Sequence, residues 1–317
     1  MREWRYWTRN KLEILAGYLP AFNIACQQWP DRVYIDLMAG EPVNVDRISG
    51  ERFDGSARLA LAASPPFTRL AFCEMPETAT HLATDLRQRY PGRHFRVYPG
   101  DCNETIDRVL TDLAPWRRMP TFVFADQQAA EIHWTTLAKV ARFRSDPRKA
   151  ELWILMSPAM IAKGVAGTNG QAFTLRVDAL FGNDTWRRIQ AARQRRVLSA
   201  DEYRDEMVNL LRWQLERNLR YGFTARIPMN MPNNMPLYDM VFATDVQVGD
   251  KIMTHLYQQA AKREPGMIQE ARARARNDRD DKAGRLTLFD LEPDNIPVSS
   301  LAWKPSTCWD PSGQQWW

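Results

Sequence analysis

Along the first half of the chain, apolar residues alternate between helical spacing and short continuous runs. Leu12, Leu15 and Leu19 with Ile14 and Tyr18 recur on one face, so residues 10–19 predict a helix. Five compact runs predict strands: Val33-Tyr34-Ile35, Leu70-Ala71-Phe72-Cys73, Phe95-Arg96-Val97-Tyr98, Phe122-Val123-Phe124-Ala125 and Leu152-Trp153-Ile154-Leu155-Met156. Helical periodicity fills the gaps, at 78–89 with Leu82 and Leu86, around Ile106, Val109, Leu110 and Leu113, and at 131–143. Apolar strands separated by helices describe an α/β domain with a parallel sheet buried on both faces.

The second half is less regular. Residues 157–198, punctuated by Gly164, Gly167, Gly170 and Gly182, predict an insertion. A long helix follows over 201–218, with Met207, Leu210, Leu211 and Leu215 on one side. Tyr221–Ile227 and Leu237–Thr244 predict two strands, and Pro228, Pro232, Pro236 and Asn233-Asn234 force a turn between them. Such a hairpin adds an antiparallel strand to an otherwise parallel sheet. A last helix is predicted over 248–262. The expected organisation is therefore one domain over 1–262 and an Arg-rich linker with a Pro/Trp-rich tail over 263–317.

Composition narrows the function classes. Of 317 residues 44% are hydrophobic, enough for a full core. No run approaches the length of a membrane span, and the opening residues lack the apolar stretch of a secretory signal, so a cytoplasmic, membrane-free protein is expected. Cys26, Cys73, Cys102 and Cys308 are scattered, and neither a disulfide framework nor a zinc site is expected. Net charge is 43 − 38 = +5, carried by 35 Arg against 8 Lys, beside 12 Trp. Five of those arginines, Arg187, Arg188, Arg193, Arg195 and Arg196, fall within ten residues that contain no acid. They form either a DNA- or RNA-tracking surface or a solvated helix paired with Asp201, Glu202, Asp205 and Glu206. The tail tryptophans Trp303, Trp309, Trp316 and Trp317 either fold back, with Leu286–Phe289 as the nearest anchor, or insert into a partner.

Candidate chemistry sits at the strand ends. Four runs end in an acid: Asp36, Glu74, Asp101 and Asp126. In open α/β sheets ligands bind outside the carboxyl ends of the strands. Gly40 lets backbone approach a ligand, Glu74 suits a ribose diol, Asp101 an exocyclic amine, and Asp126 the reacting centre. S-adenosylmethionine fits this set best, because its sulfonium gains from nearby carboxylates. A full GxGxxG, which a dinucleotide would call for, is absent.

Tyr34-Ile35-Asp36-Leu37-Met38-Ala39-Gly40, Gly55-Ser56, Gly100-Asp101-Cys102-Asn103 and Phe122–Asp126 together resemble the three-Cys-motif partner protein (TcmP) family. Lys11–Leu15, Tyr18-Leu19, Trp134–Leu137, Pro236–Tyr238 and Val241–Thr244 extend the resemblance over about residues 10–262. It implies a Rossmann-like class I methyltransferase sheet, helices on both faces, and an antiparallel hairpin of its sixth and seventh strands. It also implies a three-cysteine-motif, radical-SAM-like partner. Two departures stand at the chemical positions. The chain reads Ala39-Gly40-Glu41-Pro42 where the family reads Ala-Gly-Pro-Gly, and Asp126-Gln127-Gln128 where an Asp-Pro-aromatic sequence is expected. Two readings stay open. One is a methyltransferase acting on nucleic acid or a partner protein. The other is a methyltransferase-like subunit without catalysis, binding such a partner in phage defence.

Overall fold

Val33 and Ile35 face one side of their strand and Tyr34 the other, and that alternation runs across the whole sheet. One face carries Val33, Ile35, Ala71, Cys73, Val123, Ala125, Leu152 and Ile154, all small or aliphatic. The opposite face carries Tyr34, Phe72, Phe122, Phe124, Trp153 and Phe242, and it is aromatic. Both faces are dry, as expected of a mainly parallel sheet sandwiched between helices.

A computed structural model describes residues 3–4, 6–46, 50–144, 148–231, 235–282 and 303–317. In chain order its elements are β1 (Glu3–Trp4), α1 (Tyr6–Ala25), β2 (Val33–Asp36), β3 (Val43–Asp46), β4 (Arg52–Asp54), α2 (Ser56–Ala62), β5 (Arg69–Glu74) and α3 (Pro76–Arg89). There follow β6 (Phe95–Pro99), α4 (Cys102–Asp112), β7 (Thr121–Ala125), α5 (Trp134–Ala141), β8 (Glu151–Met156) and α6 (Pro158–Ala166). The chain continues through α7 (Gly170–Phe181), α8 (Trp186–Gln194), α9 (Ala200–Arg217), β9 (Phe223–Asn230), β10 (Pro236–Thr244) and α10 (Gln247–Lys282). Seven strands form one sheet in the order β6-β5-β2-β7-β8-β10-β9. β10 is antiparallel to both of its neighbours, and the remaining pairs are parallel. This is the α/β, Rossmann-like architecture expected from the sequence, a mostly parallel seven-stranded sheet flanked by helices, with the edge hairpin made by β9 and β10.

Helix α1 lays Tyr18 and Phe22 on the aromatic face, with Tyr18 5.2 Å from both Phe122 and Phe242 between ring centroids. Helices α2, α3 and α10 complete that layer, while α4, α5, α8 and α9 cover the aliphatic face. Several local expectations are revised. Residues 157–198 fold as α6, α7 and α8, broken near Gly167 and Gly182, and Ile161, Phe181, Trp186 and Ile189 join the core. Residues 43–54, which carried no strand expectation, pair as β3 and β4 and build a small three-stranded sheet with β1. Helix α10 runs on past Lys262 because 263–276 is rich in helix-forming Ala, Glu and Arg, and Ile268 and Ala271 pack near Trp7.

The described part of the tail folds back onto the domain. Buried Arg212 of α9 donates to Ser306 O (2.6 Å), and Asn209 bonds the backbone of Trp309 at both N and O. Trp303 Nε1 donates to Arg226 O at 2.9 Å, and Trp309 Nε1 to Glu206 at 3.1 Å. Leu286–Phe289, the anchor expected for this tail, lies outside the described residues.

At the N-terminal end of β8, Glu151 is buried between Tyr18 Oη (2.5 Å) and Thr244 Oγ1 (2.8 Å), both donating to it. Burial pushes its carboxyl up to about 7, the two hydrogen bonds opposing that rise. Between the ordinary carboxylate value and about 7 the folded chain holds a proton that the unfolded chain has lost. This contribution to stability is therefore complete at low pH and lost as pH rises through 7. Glu151→Gln is expected to gain stability relative to the parent by up to about 1 kcal/mol per pH unit over that window. Urea denaturation from pH 5 to 8 checks this, and parallel curves for the two proteins would refute it.

Candidate active-site cleft

The carboxyl ends of β2, β5, β6, β7 and β8 open onto one cleft of about 860 Å³, closed on its far side by α1 and the start of β10. Gly40, Glu74, Asp101 and Asp126 all line it, so four of the five sequence-predicted ligand residues come together. The fifth, Asp36, lies fully buried at the end of β2, outside the residues that line the cleft. It accepts from Met38 N and Tyr34 Oη, each at 3.2 Å. Burial pushes its carboxyl up to about 7, with hydrogen bonds from Ser56, Met38 and Tyr34 opposing and the negative charge of Asp126 adding to the rise.

The loop after β2 is held from two sides. Gly40 takes a left-handed φ of +66°, and a Cβ built there would meet nothing within 4 Å, so the backbone is open to the cleft. Its N–H donates to Glu74 Oε2 (2.5 Å), while Glu74 Oε1 accepts from Met75 N (2.9 Å). Each carboxylate oxygen keeps a second lone pair for another donor. Gly55, which opens α2, approaches so closely that a Cβ would lie 2.4 Å from Glu41 O, and its N–H donates to Pro42 O. The Glu41 carboxylate meets His81 Nδ1 on α3 at 2.9 Å.

Asp101 caps α4 by accepting from Asn103 N at 2.8 Å. Asn103 then stitches two loops together, donating to Glu131 O and accepting from His133 N and Thr136 Oγ1. Gln127, where the resembled family carries proline, is buried. Its amide donates to Leu155 O and its carbonyl accepts from Glu131 N and Ile132 N. A glutamine therefore supplies the rigidity that a ring would give by covalent constraint.

The residue that sequence reasoning missed as chemistry is Lys11. It was read only within the opening helix, yet its side chain is 3% exposed and its Nζ reaches both oxygens of Asp126, at 2.6 and 2.5 Å. The same ammonium lies 5.5 Å from the centre of the Tyr238 ring. A lysine on a strongly apolar helix face was the available signal, since an unpaired charge there is costly. Five carboxylates and this one cation line the cleft among the described residues, so its field is acidic overall.

The Arg-rich segment lies elsewhere, on and after α8. Arg187 pairs with Asp178, Arg188 sits 5.2 Å from the Trp317 ring centre, and Arg193 donates to Leu198 O. Arg195 and Arg196 are exposed. Of the acids expected to pair with them, Asp205 binds Arg226, Glu202 closes the Ser199 capping box and Glu206 meets Trp309.

No family model matches the chain, and no curated protein matches it. Solved structures with similar folds include M. jannaschii TYW2 in complex with AdoMet, at 11% identity and a TM-score of 0.40, covering 76% of each chain. A spermidine synthase from Thermotoga maritima (9%, TM-score 0.38) is matched over 78% of this chain and 62% of its own. A dimethyladenosine transferase from Plasmodium falciparum (9%, TM-score 0.33) is matched over 89% and 83%. No helix among the described residues is long and apolar enough to cross a membrane.

Removing one member of a largely buried ion pair strands the other. Asp126→Asn is expected to lower unfolding free energy by about 2 kcal/mol, and adding Lys11→Met to recover most of that loss. Urea denaturation of the two variants checks the coupling, and additive losses would disprove it.

Proposed function

We propose that this chain is a TcmP-like protein that binds S-adenosylmethionine in the cleft and transfers its methyl group to nucleic acid or a partner protein. The observation that carries this reading is the convergence of Gly40, Glu74, Asp101 and Asp126 on one acid-lined cavity of about 860 Å³ at the strand ends. That volume lies within the range of small-molecule and cofactor sites. The open backbone at Gly40 and the carboxylate excess both suit a cationic adenosyl ligand. The resembled family and its three-cysteine-motif partner belong to the same proposal.

The group supplies an electrophilic methyl on sulfur, so the protein's part is placement and exclusion of water. Glu74, pinned by two backbone donors, holds the ribose hydroxyls with its remaining lone pairs. Asp101, fixed as a helix cap, receives the adenine amine, and Gly40 gives the chain a close approach. Asp126 orients the nucleophile and accepts its proton, with Lys11 holding both carboxylate oxygens in place. Trp7 and Tyr238 line the cleft beside this pair and wall the acceptor side.

One observation favours a second reading, a subunit without catalysis. Lys11 already engages both oxygens of Asp126, so a third group approaching that carboxylate must compete with an ammonium already in place. Titration calorimetry of S-adenosylmethionine and S-adenosylhomocysteine separates the two. Saturable binding by the parent is expected, weakened at least about tenfold by Glu74→Ala, as befits a lost charge-assisted hydrogen bond. No binding by the parent would sink the methyltransferase reading. Binding without methyl loss on incubation with nucleic acid and candidate protein partners would favour the second.

A further inference from the structure

The opposite edge of the sheet carries the reverse chemistry. The segments that lead into β7, β8 and β9 meet there, and they bear exposed Arg117, Arg118, Arg142, Arg148 and Arg220. None of the five is paired with a carboxylate among the described residues. This sets them apart from Arg32 and Arg93 on the same edge, whose guanidiniums are spent on backbone carbonyls of Pro66, Leu61 and Phe67. The segments that bear them are in contact with one another. Arg144 Nε donates to Arg118 O (3.4 Å), Lys149 Nζ donates to Arg220 O (2.9 Å), and Arg144, Arg148 and Lys149 line one pocket. Among the described residues, Asp245 pairs with Lys149 at 2.7 Å, and Glu151, which also lines this pocket, accepts from Tyr18 and Thr244.

The pocket itself supplies a second, independent observation. It holds about 290 Å³ and is walled by Trp29, Phe22 and Ile252 below its basic mouth, with the Arg144 guanidinium 5.4 Å from the Trp29 ring centre. A flat aromatic group attached to an anion is the ligand that satisfies wall and mouth together. A row of unpaired guanidiniums is self-repelling, and a polyanion relieves that with release of counterions. Duplex bases are stacked away from such a pocket, whereas a single strand offers them freely.

We propose that this edge binds single-stranded nucleic acid, its phosphates along Arg117, Arg118, Arg142, Arg148 and Arg220 and one base in the pocket beside Trp29. The site lies across the sheet from the cleft, so it holds the strand rather than acting on it. It does not rest on cofactor binding.

The test is fluorescence anisotropy with a labelled single strand of about 12 nucleotides, without cofactor, over a salt series. Parent affinity is expected to fall linearly on the log–log plot. Arg117→Ala with Arg118→Ala should make the slope shallower by about 1.4, two contacts at about 0.7 each. Trp29→Ala should weaken the single strand on the order of tenfold and leave weak duplex binding unchanged, the signature of a lost base contact. A flat slope for the parent overturns the proposal. So does a slope that responds to Arg187→Ala with Arg188→Ala and not to the edge pair, which would move the footprint to α8. Binding to phosphatidylserine vesicles with none to the oligonucleotide also overturns it, in favour of a membrane surface. Circular dichroism confirms that each variant is folded, and Arg148→Ala, whose side chain is exposed, serves if Trp29→Ala is not.

Discussion

Burial of the seven-stranded sheet on both faces is the constraint on which the rest of the molecule depends. Aliphatic side chains fill one side and aromatic side chains the other, so neither face has room for a solvated polar group. Chemistry is thereby confined to the two edges where strands end and backbone turns. At the carboxyl edge carboxylates gather around a large cleft, and at the amino edge arginines gather around a small one. Some polar groups that enter the interior are matched by donors, as Glu151 is by Tyr18 and Thr244, whereas Tyr203 Oη and Gln214 Oε1 find no hydrogen-bond partner among the described residues.

The cleft is built from side chains that hold backbone before they hold anything else. Glu74 receives Gly40 N–H, Asn103 joins the loops after β6 and β7, and Gln127 ties its own loop to β8. Such bonds keep the loops in register with the rigid strand ends, which is how a site on loops becomes preorganised. Lys11 brings α1 into the same network through Asp126. The first helix is therefore a wall of the cleft as well as a cover for the aromatic face.

Aromatic and basic residues divide their work by position. Trp303 and Trp309 fasten the tail to the core with indole hydrogen bonds, and Trp316 and Trp317 pack against the aliphatic cluster. Arginine serves both as structural donor and as free surface charge. Arg212 is buried and spends its donors on Thr224 and Ser306, whereas Arg117 and Arg118 remain open to solvent. Composition alone does not separate these uses, because burial depends on which element covers the residue.

The strands and helices of the sheet were legible in the sequence because local periodicity is what burial on one or two faces requires. Five apolar runs and their intervening helices predicted the observed succession of elements, whereas Pro228 and Pro236, expected in the turn, lie within β9 and β10, and Pro232 and Asn233-Asn234 lie outside the described residues. The acids at the strand ends were legible for the same reason, as each lies next to a run whose end it marks. Short β3 and β4 and the helices of 157–198 were not, since their apolar residues are too few or too interrupted by glycine to show a period. Nothing local places Lys11 on Asp126, 115 residues away, or Arg148 beside Trp29. Sequence by itself determined the fold class and the side of the sheet on which carboxylates gather. Tertiary structure decided which charges are neutralised, which loops are held and which arginines remain free, because those outcomes depend on contacts between segments distant along the chain.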